Sequence, residues 1–259
     1  MRQAIILASF GAVDSVIIES TINALFEDIK TAFPSTEIRQ AYTSNFIRSK
    51  LRSRGIEILS IEEQIASLKS EDFNDIMILP SHLTPGEEFD NKIKPFENDE
   101  VTVLNPLFTL DCVSDFDKQA FDTILNCFET VDNEELVLIG HGSPHRHNPV
   151  YENLQKLADS QGLRVHIGVI EPTDTPNFDE VCLRLKHNHT NNILLAPMLF
   201  NGGVHVNEDI ASDNKNSWKT RLIKSGFKVR ICTEGLGSFE NFRELYIEKL
   251  SKVVDIYGN

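Results

Sequence analysis

Three stretches of this chain set a potential metal ligand or base beside glycine at the end of an apolar run. Leu136-Val137-Leu138-Ile139 leads into Gly140-His141-Gly142, Ile193-Leu194-Leu195-Ala196-Pro197 leads to Gly202-Gly203-Val204-His205, and Ile76-Met77-Ile78-Leu79-Pro80 leads to Gly86-Glu87-Glu88. Glycine on either side keeps an imidazole or carboxylate sterically open and lets the backbone approach a ligand closely. Glu171 closes a fourth run, Val165-His166-Ile167-Gly168-Val169-Ile170, where a carboxylate is partly stripped of water unless something binds it. Imidazole and carboxylate together suit a divalent ion such as Fe, Co, Ni or Zn, and the same groups can accept protons near neutral pH. His141, Glu171 and His205 are therefore the candidate metal ligands, and His141 and Glu88 the candidate bases.

The other histidines rank lower. His82 stands just past a strand end, where it could line the same site, and His145 and His147 lie on the polar exit of the His141 turn. His166 falls inside a strand and reads as structural; His187 and His189 follow a helix and read as a solvated end.

The spacing carries its own message. A single interval of 117 residues separates Pro80 from Pro197, Gly86 from Gly203 and Glu88 from His205. A second echo relates Ala4-Ile5-Ile6-Leu7-Ala8-Ser9-Phe10-Gly11 to the run ending at His141-Gly142, with Phe10-Gly11 offset by 131. Two echoes in the same order point to internal duplication, with extra sequence in the first half between these strands. In each echo one copy bears an imidazole and the other does not.

The elements that must position these residues alternate throughout. Short, nearly continuous apolar runs at 3–9, 37–42, 75–80, 100–104, 135–140, 164–170, 192–199 and 227–232 read as strands covered on both faces. Amphipathic stretches at 14–33, 61–72, 114–130, 148–160, 177–187 and 239–256 read as helices; Asp14 is a plausible cap for the first, which stops before Pro34. The predicted fold is α/β, with two similar doubly wound lobes, each a four-stranded parallel sheet flanked by helices. The polar stretch Glu129-Thr130-Val131-Asp132-Asn133 sets the expected boundary, giving lobes 1–132 and 133–259. In such sheets ligands sit at the carboxyl ends of the strands, so the expected site is a cleft between the lobes lined by those ends.

Composition narrows the function. A formal charge of −14 over 259 residues argues against nucleic acid and anionic membrane surfaces. No run reaches the roughly 18 apolar residues of a membrane helix, the N-terminal run is too short for a signal peptide, and the four cysteines are scattered; these features predict a cytoplasmic protein with reduced thiols. No G-x-G-x-x-G opens a helix, no phosphate-loop motif occurs and no G-x-S-x-G elbow is present, so nucleotide binding and esterase chemistry are unsupported. The arginine that precedes the histidine of histidine phosphatases is missing before Gly140-His141-Gly142.

These residues resemble the anaerobic sirohydrochlorin cobaltochelatases, relatives of ferrochelatase among the class II chelatases. The resemblance spans the chain. It is carried by Ala8-Ser9-Phe10-Gly11, Ala41-Tyr42-Thr43-Ser44, Ile47-Arg48-Ser49-Lys50-Leu51, Gly86-Glu87-Glu88-Phe89, Gly140-His141-Gly142, the block from His205 through Ala211-Ser212-Asp213 to Ser217-Trp218-Lys219, and Gly235-Leu236-Gly237. It implies ATP-independent insertion of cobalt(II) into sirohydrochlorin or its reduced precorrin form, in cobalamin biosynthesis. It places the family's metal-site residues on His141, Glu171 and His205 and its loop glutamate on Glu88. Ser9, Phe10, Gly11, His82, Gly86, Phe89, Gly202 and Gly203 are the expected substrate-binding positions. The implied partner is a small tetrapyrrole, the metal is a substrate, and no prosthetic group is expected; homo-oligomerisation stays open. Arg146, Lys215 and Lys219 are candidate cations for a polycarboxylate substrate. The sequence departs from the family pattern at Ser143-Pro144-His145-Arg146-His147 and at Phe89, which bears on substrate fit. Insertion of iron or nickel, or non-catalytic carriage of a tetrapyrrole or metal, are the alternative readings.

Overall fold

The computed structural model describes residues 2–257, with side chains as far as Val254. Eight strands form two sheets. Strands β1 (Gln3–Ser9), β2 (Glu37–Tyr42), β3 (Asp75–Pro80) and β4 (Val101–Val103) make one sheet in the order β2-β1-β3-β4. Strands β5 (Glu134–Gly140), β6 (Val165–Val169), β7 (Asn192–Pro197) and β8 (Lys228–Ile231) make the other, in the order β6-β5-β7-β8. Every pairing within them is parallel. The central strands are buried along almost their whole length, as their uninterrupted apolar runs require when helices cover both faces.

The two sheets repeat each other bond for bond. Ala8 pairs with Pro80 in the first and Ile139 with Pro197 in the second, at the offsets of 131 and 117 read from the sequence. Past the strand ends, Ser81 N–H donates to the Ala8 carbonyl (2.9 Å) and Met198 N–H to Ile139 (2.8 Å). Thr43 N–H donates to Ser9 as Ile170 N–H does to Gly140, both at 2.9 Å. Ser44 N–H donates to Phe10 (3.4 Å) as Glu171 N–H does to His141 (3.0 Å). Phe10, Ser44 and Glu88 in the first copy therefore occupy the places of His141, Glu171 and His205 in the second. Most of the extra sequence in the first half lies between β2 and β3, where two helices, Asn45–Arg52 and Ile61–Ser70, stand against the single helix Phe178–His187 between β6 and β7.

The chain divides into two compact units at places other than the sequence boundary. One comprises the residues up to Leu107 and those from Gly237 onward; the other is Phe108–Leu236. The C-terminal helix, Glu240–Tyr257, belongs with the first sheet: Arg243 Nε pairs with Asp28 at 2.5 Å, the Tyr246 hydroxyl donates to the Ser81 carbonyl at 2.9 Å, and Lys249 Nζ donates to the Pro106 carbonyl. Helix Asp115–Asn126, assigned to the first half by chain order, belongs with the second sheet. The stretch leading into it is tied there by the Asn153 amide donating to the Leu110 carbonyl at 2.9 Å. Alternation of strands and helices fixes the type of each element but not the sheet on which it packs.

Each unit has its own core. Ala4, Ile6, Ile76, Ile78, Phe89 and Ile93 belong to one cluster, and Val137, Ile139, Ile193, Leu195, Trp218 and Leu222 to the other. Asp14 caps the first helix as expected, its carboxylate accepting from Val16 N–H at 2.9 Å and Ile17 N–H at 3.2 Å. His166 is structural: it is 1% exposed and its Nε2 lies 2.5 Å from a carboxylate oxygen of buried Glu135. All four cysteines are free thiols. No helix among the described residues is long and apolar enough to cross a membrane.

Candidate metal centre

The second unit brings two of the three expected ligands face to edge. The rings of His141 and His205 have centroids 4.7 Å apart and planes at 88°. His141 sits on the first residue after β5, and Gly142, at φ +75°, turns the chain away behind it. A Cβ at Gly142 would stand 2.9 Å from Val169 Cβ and 3.2 Å from Glu171 Cβ, so only glycine fits between the His141 turn and the β6 end. Gly140 is equally constrained, since a Cβ there would meet the Tyr151 ring at 2.1 Å. His205 begins the single-turn π-helix Val206–Ile210, closed by Ala211 N–H donating to the Val206 carbonyl at 2.8 Å.

Both imidazoles have one nitrogen committed. His141 Nδ1 lies 3.1 Å from the Gly142 carbonyl, and His205 Nδ1 lies 2.8 Å from Asp209 Oδ2. Each partner can only accept, so in the neutral ring the proton resides on Nδ1 and the lone pair on Nε2. That is the state in which imidazole binds a metal through Nε2, oriented by an outer acceptor. Asp209 is thus a member of the site that the sequence reading missed; its position four residues after His205 was the available signal.

Glu171 is joined to this pair through its backbone, by the bond to the His141 carbonyl. Its carboxylate does not complete a ready-made cluster: among the described residues no three His, Cys, Asp or Glu side chains are arranged to hold a metal. The structure pairs His141 with His205 and sets Glu171 on the adjoining turn.

In the first unit Glu88 lies in helix Glu87–Lys92 and not in a loop. Its Oε1 accepts from the Thr43 hydroxyl at 2.6 Å and its Oε2 is 3.0 Å from Lys92 Nζ. Nearby His82 keeps both ring nitrogens shut off from solvent and without a hydrogen-bond partner. Burial pushes its pKa down to about 4, with the Glu88 charge opposing and Lys92 assisting. His82 is therefore a neutral, closed-off ring and does not present a nitrogen at the surface.

The expected substrate-binding positions divide. Phe10, 45% exposed, and Gly203, whose added Cβ would meet nothing within 4 Å, are open to a ligand. Gly86 caps the Glu88 helix in an extended conformation. Gly11, at φ +101°, packs on Tyr42, and Gly202 is pressed against the backbone of Thr233 and Gly235. Two of these positions are buried in the structure. Phe89 is 4% exposed and belongs to the first core, and Ser9 is fully buried, because each points to the covered side of its element. Among the cations, Arg146 and Lys215 are exposed, while Lys219 is engaged with Asp213 at 2.8 Å. His145 is exposed, and His147 is turned to Asp174 at 2.7 Å.

Two four-stranded parallel sheets that repeat each other's strand order make this the chelatase fold. The fold is shared with SirB from Bacillus subtilis with Fe3+ (TM-score 0.60, 14% identity, covering 97% of this chain and 95% of that one). It is shared also with CbiX, described as the terminal enzyme of siroheme biosynthesis in denitrifying bacteria (TM-score 0.55, 16% identity, 97% and 99% covered). The chain belongs to the cobalt chelatase (CbiK) family, whose model matches residues 3–255. It is 26% identical to the sirohydrochlorin cobaltochelatase of Salmonella typhimurium, over 99% of this chain and 98% of that protein. It is likewise 26% identical to the sirohydrochlorin cobaltochelatase CbiKC of Nitratidesulfovibrio vulgaris, over 98% and 91%.

Proposed function

We propose that this protein inserts cobalt(II) into sirohydrochlorin, or its reduced precorrin form, without ATP, in the anaerobic route to cobalamin. The observation that carries this reading is the His141–His205 pair, both rings held with Nδ1 engaged. Membership of the cobalt chelatase family supports it. The metal is a substrate. His141 and His205 take it through Nε2, and Glu171 adds a carboxylate.

Insertion exchanges one divalent cation for two pyrrole N–H protons, so two acceptors are required. Glu88 is assigned one of them, with the Thr43 hydroxyl donating to its Oε1 and fixing the orientation of the carboxylate. His141 is assigned the other, its Nε2 lone pair becoming free to accept a proton as the metal passes to the macrocycle. In the second unit Gly203 leaves open space, and the exposed Arg146 and Lys215 carry positive charge suited to the carboxylates of a macrocycle.

Imidazole with carboxylate binds cobalt, iron and nickel alike, so metal choice is read from rates. Purified protein at substoichiometric concentration is mixed anaerobically with sirohydrochlorin and Co2+, Fe2+, Ni2+ or no metal, and followed by absorbance. Many turnovers above the metal-only blank, fastest with Co2+, support the proposal. Fastest turnover with iron or nickel reassigns the metal. A spectral change that saturates at one equivalent replaces the enzyme reading with a carrier.

A further inference from the structure

The loop that follows His141 is held by a carboxylate that belongs to the loop following Glu171. Asp174 is 1% exposed, a burial that an ionised carboxylate tolerates only when donors replace its water. Its Oδ2 accepts from Ser143 N–H at 2.8 Å, its Oδ1 accepts from Thr175 N–H at 2.9 Å, and both oxygens lie 3.4 Å from Asn148 N–H. His147 Nδ1 closes the set at 2.7 Å from Oδ1, with its ring half exposed. Three backbone N–H groups and one imidazole thus surround the carboxylate.

The placement gives this cluster its meaning. Ser143, His147 and Asn148 lie on the segment that leaves β5 just after His141, and Asp174 lies three residues after Glu171 on the segment that leaves β6. A turn joins the latter, Asp174 N–H donating to the Glu171 carbonyl at 3.2 Å. The residues 141–148 form no helix or strand, so side-chain bonds must supply the order that backbone ladders supply elsewhere. Strands β5 and β6 are neighbours, and beyond their last pairing the two expected ligands share one backbone bond, from Glu171 N–H to the His141 carbonyl.

We propose that Asp174 is a positioning residue. By clamping the Ser143–Asn148 segment to its own turn, it presets the spacing between His141 and the Glu171 carboxylate, and so the affinity for the metal substrate. This rests on the metal-site reading above. The ligands do not form a closed cluster without metal, so the work of assembling them on binding is smaller when their two segments are already fastened. Asp174→Asn keeps the volume but exchanges one acceptor for an NH2 group facing N–H donors.

The test is Co2+ affinity without tetrapyrrole, read from the visible cobalt spectrum, on the wild type, Asp174→Asn, Glu171→Gln, their double variant and His141→Ala. Asp174→Asn is expected to weaken Co2+ about ten- to hundredfold. It should lower kcat while leaving the KM for tetrapyrrole within about twofold. The double variant should bind little worse than Glu171→Gln alone, because both changes act on one contact. Full additivity of the two losses, or unchanged Co2+ affinity in a folded Asp174→Asn protein, overturns the proposal. If His141→Ala and Glu171→Gln themselves leave Co2+ binding intact, the metal-site reading falls first. If Asp174→Asn does not fold, His147→Leu takes its place: a severalfold loss of Co2+ affinity at unchanged melting temperature supports the clamp, and no loss refutes it.

Discussion

His82 makes a sharp prediction about acid stability. Its nitrogens are buried without partners and its pKa is held at about 4, against an ordinary value of 6.5. Between those values the unfolded chain binds a proton that the folded chain refuses, so stability falls as pH drops below 6.5 and the loss levels off near 4. The full loss is about 3 kcal/mol, from about 1.4 kcal/mol per pKa unit. At pH ~4.5 about 2.5 kcal/mol of it is already felt, and near pH 7 almost none. His82→Leu removes the titrating group and the two orphan nitrogens together. Urea unfolding followed by circular dichroism at pH ~7 and ~4.5 gives the comparison. The wild type should lose about 2 kcal/mol more than the variant between the two pH values. Equal losses would mean that His82 takes up its proton in the folded state, by opening to solvent or by pairing with Glu88, and the argument from burial would be wrong.

Other expectations concern the site. Gly142→Ala forces a side chain into φ +75° against Val169 and Glu171, and should lower stability by about 1–3 kcal/mol, measured by thermal melting. Thr43→Val removes the 2.6 Å bond to Glu88 and should reduce kcat about tenfold with little change in stability; an unchanged kcat would take Glu88 out of the proton step. Asp209→Ala frees His205 Nδ1 and should weaken Co2+ binding about tenfold or more by titration calorimetry, the fold remaining intact because the pair lies on an exposed turn.

All eight strands were legible because buried parallel strands are written as uninterrupted apolar runs, which few other elements mimic. The helices Asn45–Arg52, Glu87–Lys92 and Trp218–Lys224 escaped notice because six to eight residues give too few turns for a periodic pattern, although Ser44 and Ser217 cap two of them. The duplication was visible as the intervals of 117 and 131, which reappear as strand register. His141 and His205 could be found because glycines mark the turns beside them. Asp209 was marked only by its i+4 spacing from His205, and Thr43 and Asp174 could not be singled out, since an acidic or hydroxyl residue in a loop looks alike whether it faces water or a neighbour 2.6–2.8 Å away. Phe89 shows the converse: the resemblance put it among the substrate positions, whereas the helix Glu87–Lys92 turns it into the core.

The most direct test of the account is cobalt insertion by His141→Ala and His205→Ala, each checked for native circular dichroism. The paired rings predict that either substitution abolishes multiple-turnover insertion into sirohydrochlorin and removes the Co2+ spectrum of the free protein. Wild-type turnover in both folded variants would place the chemistry elsewhere in the molecule and contradict the site assigned to it.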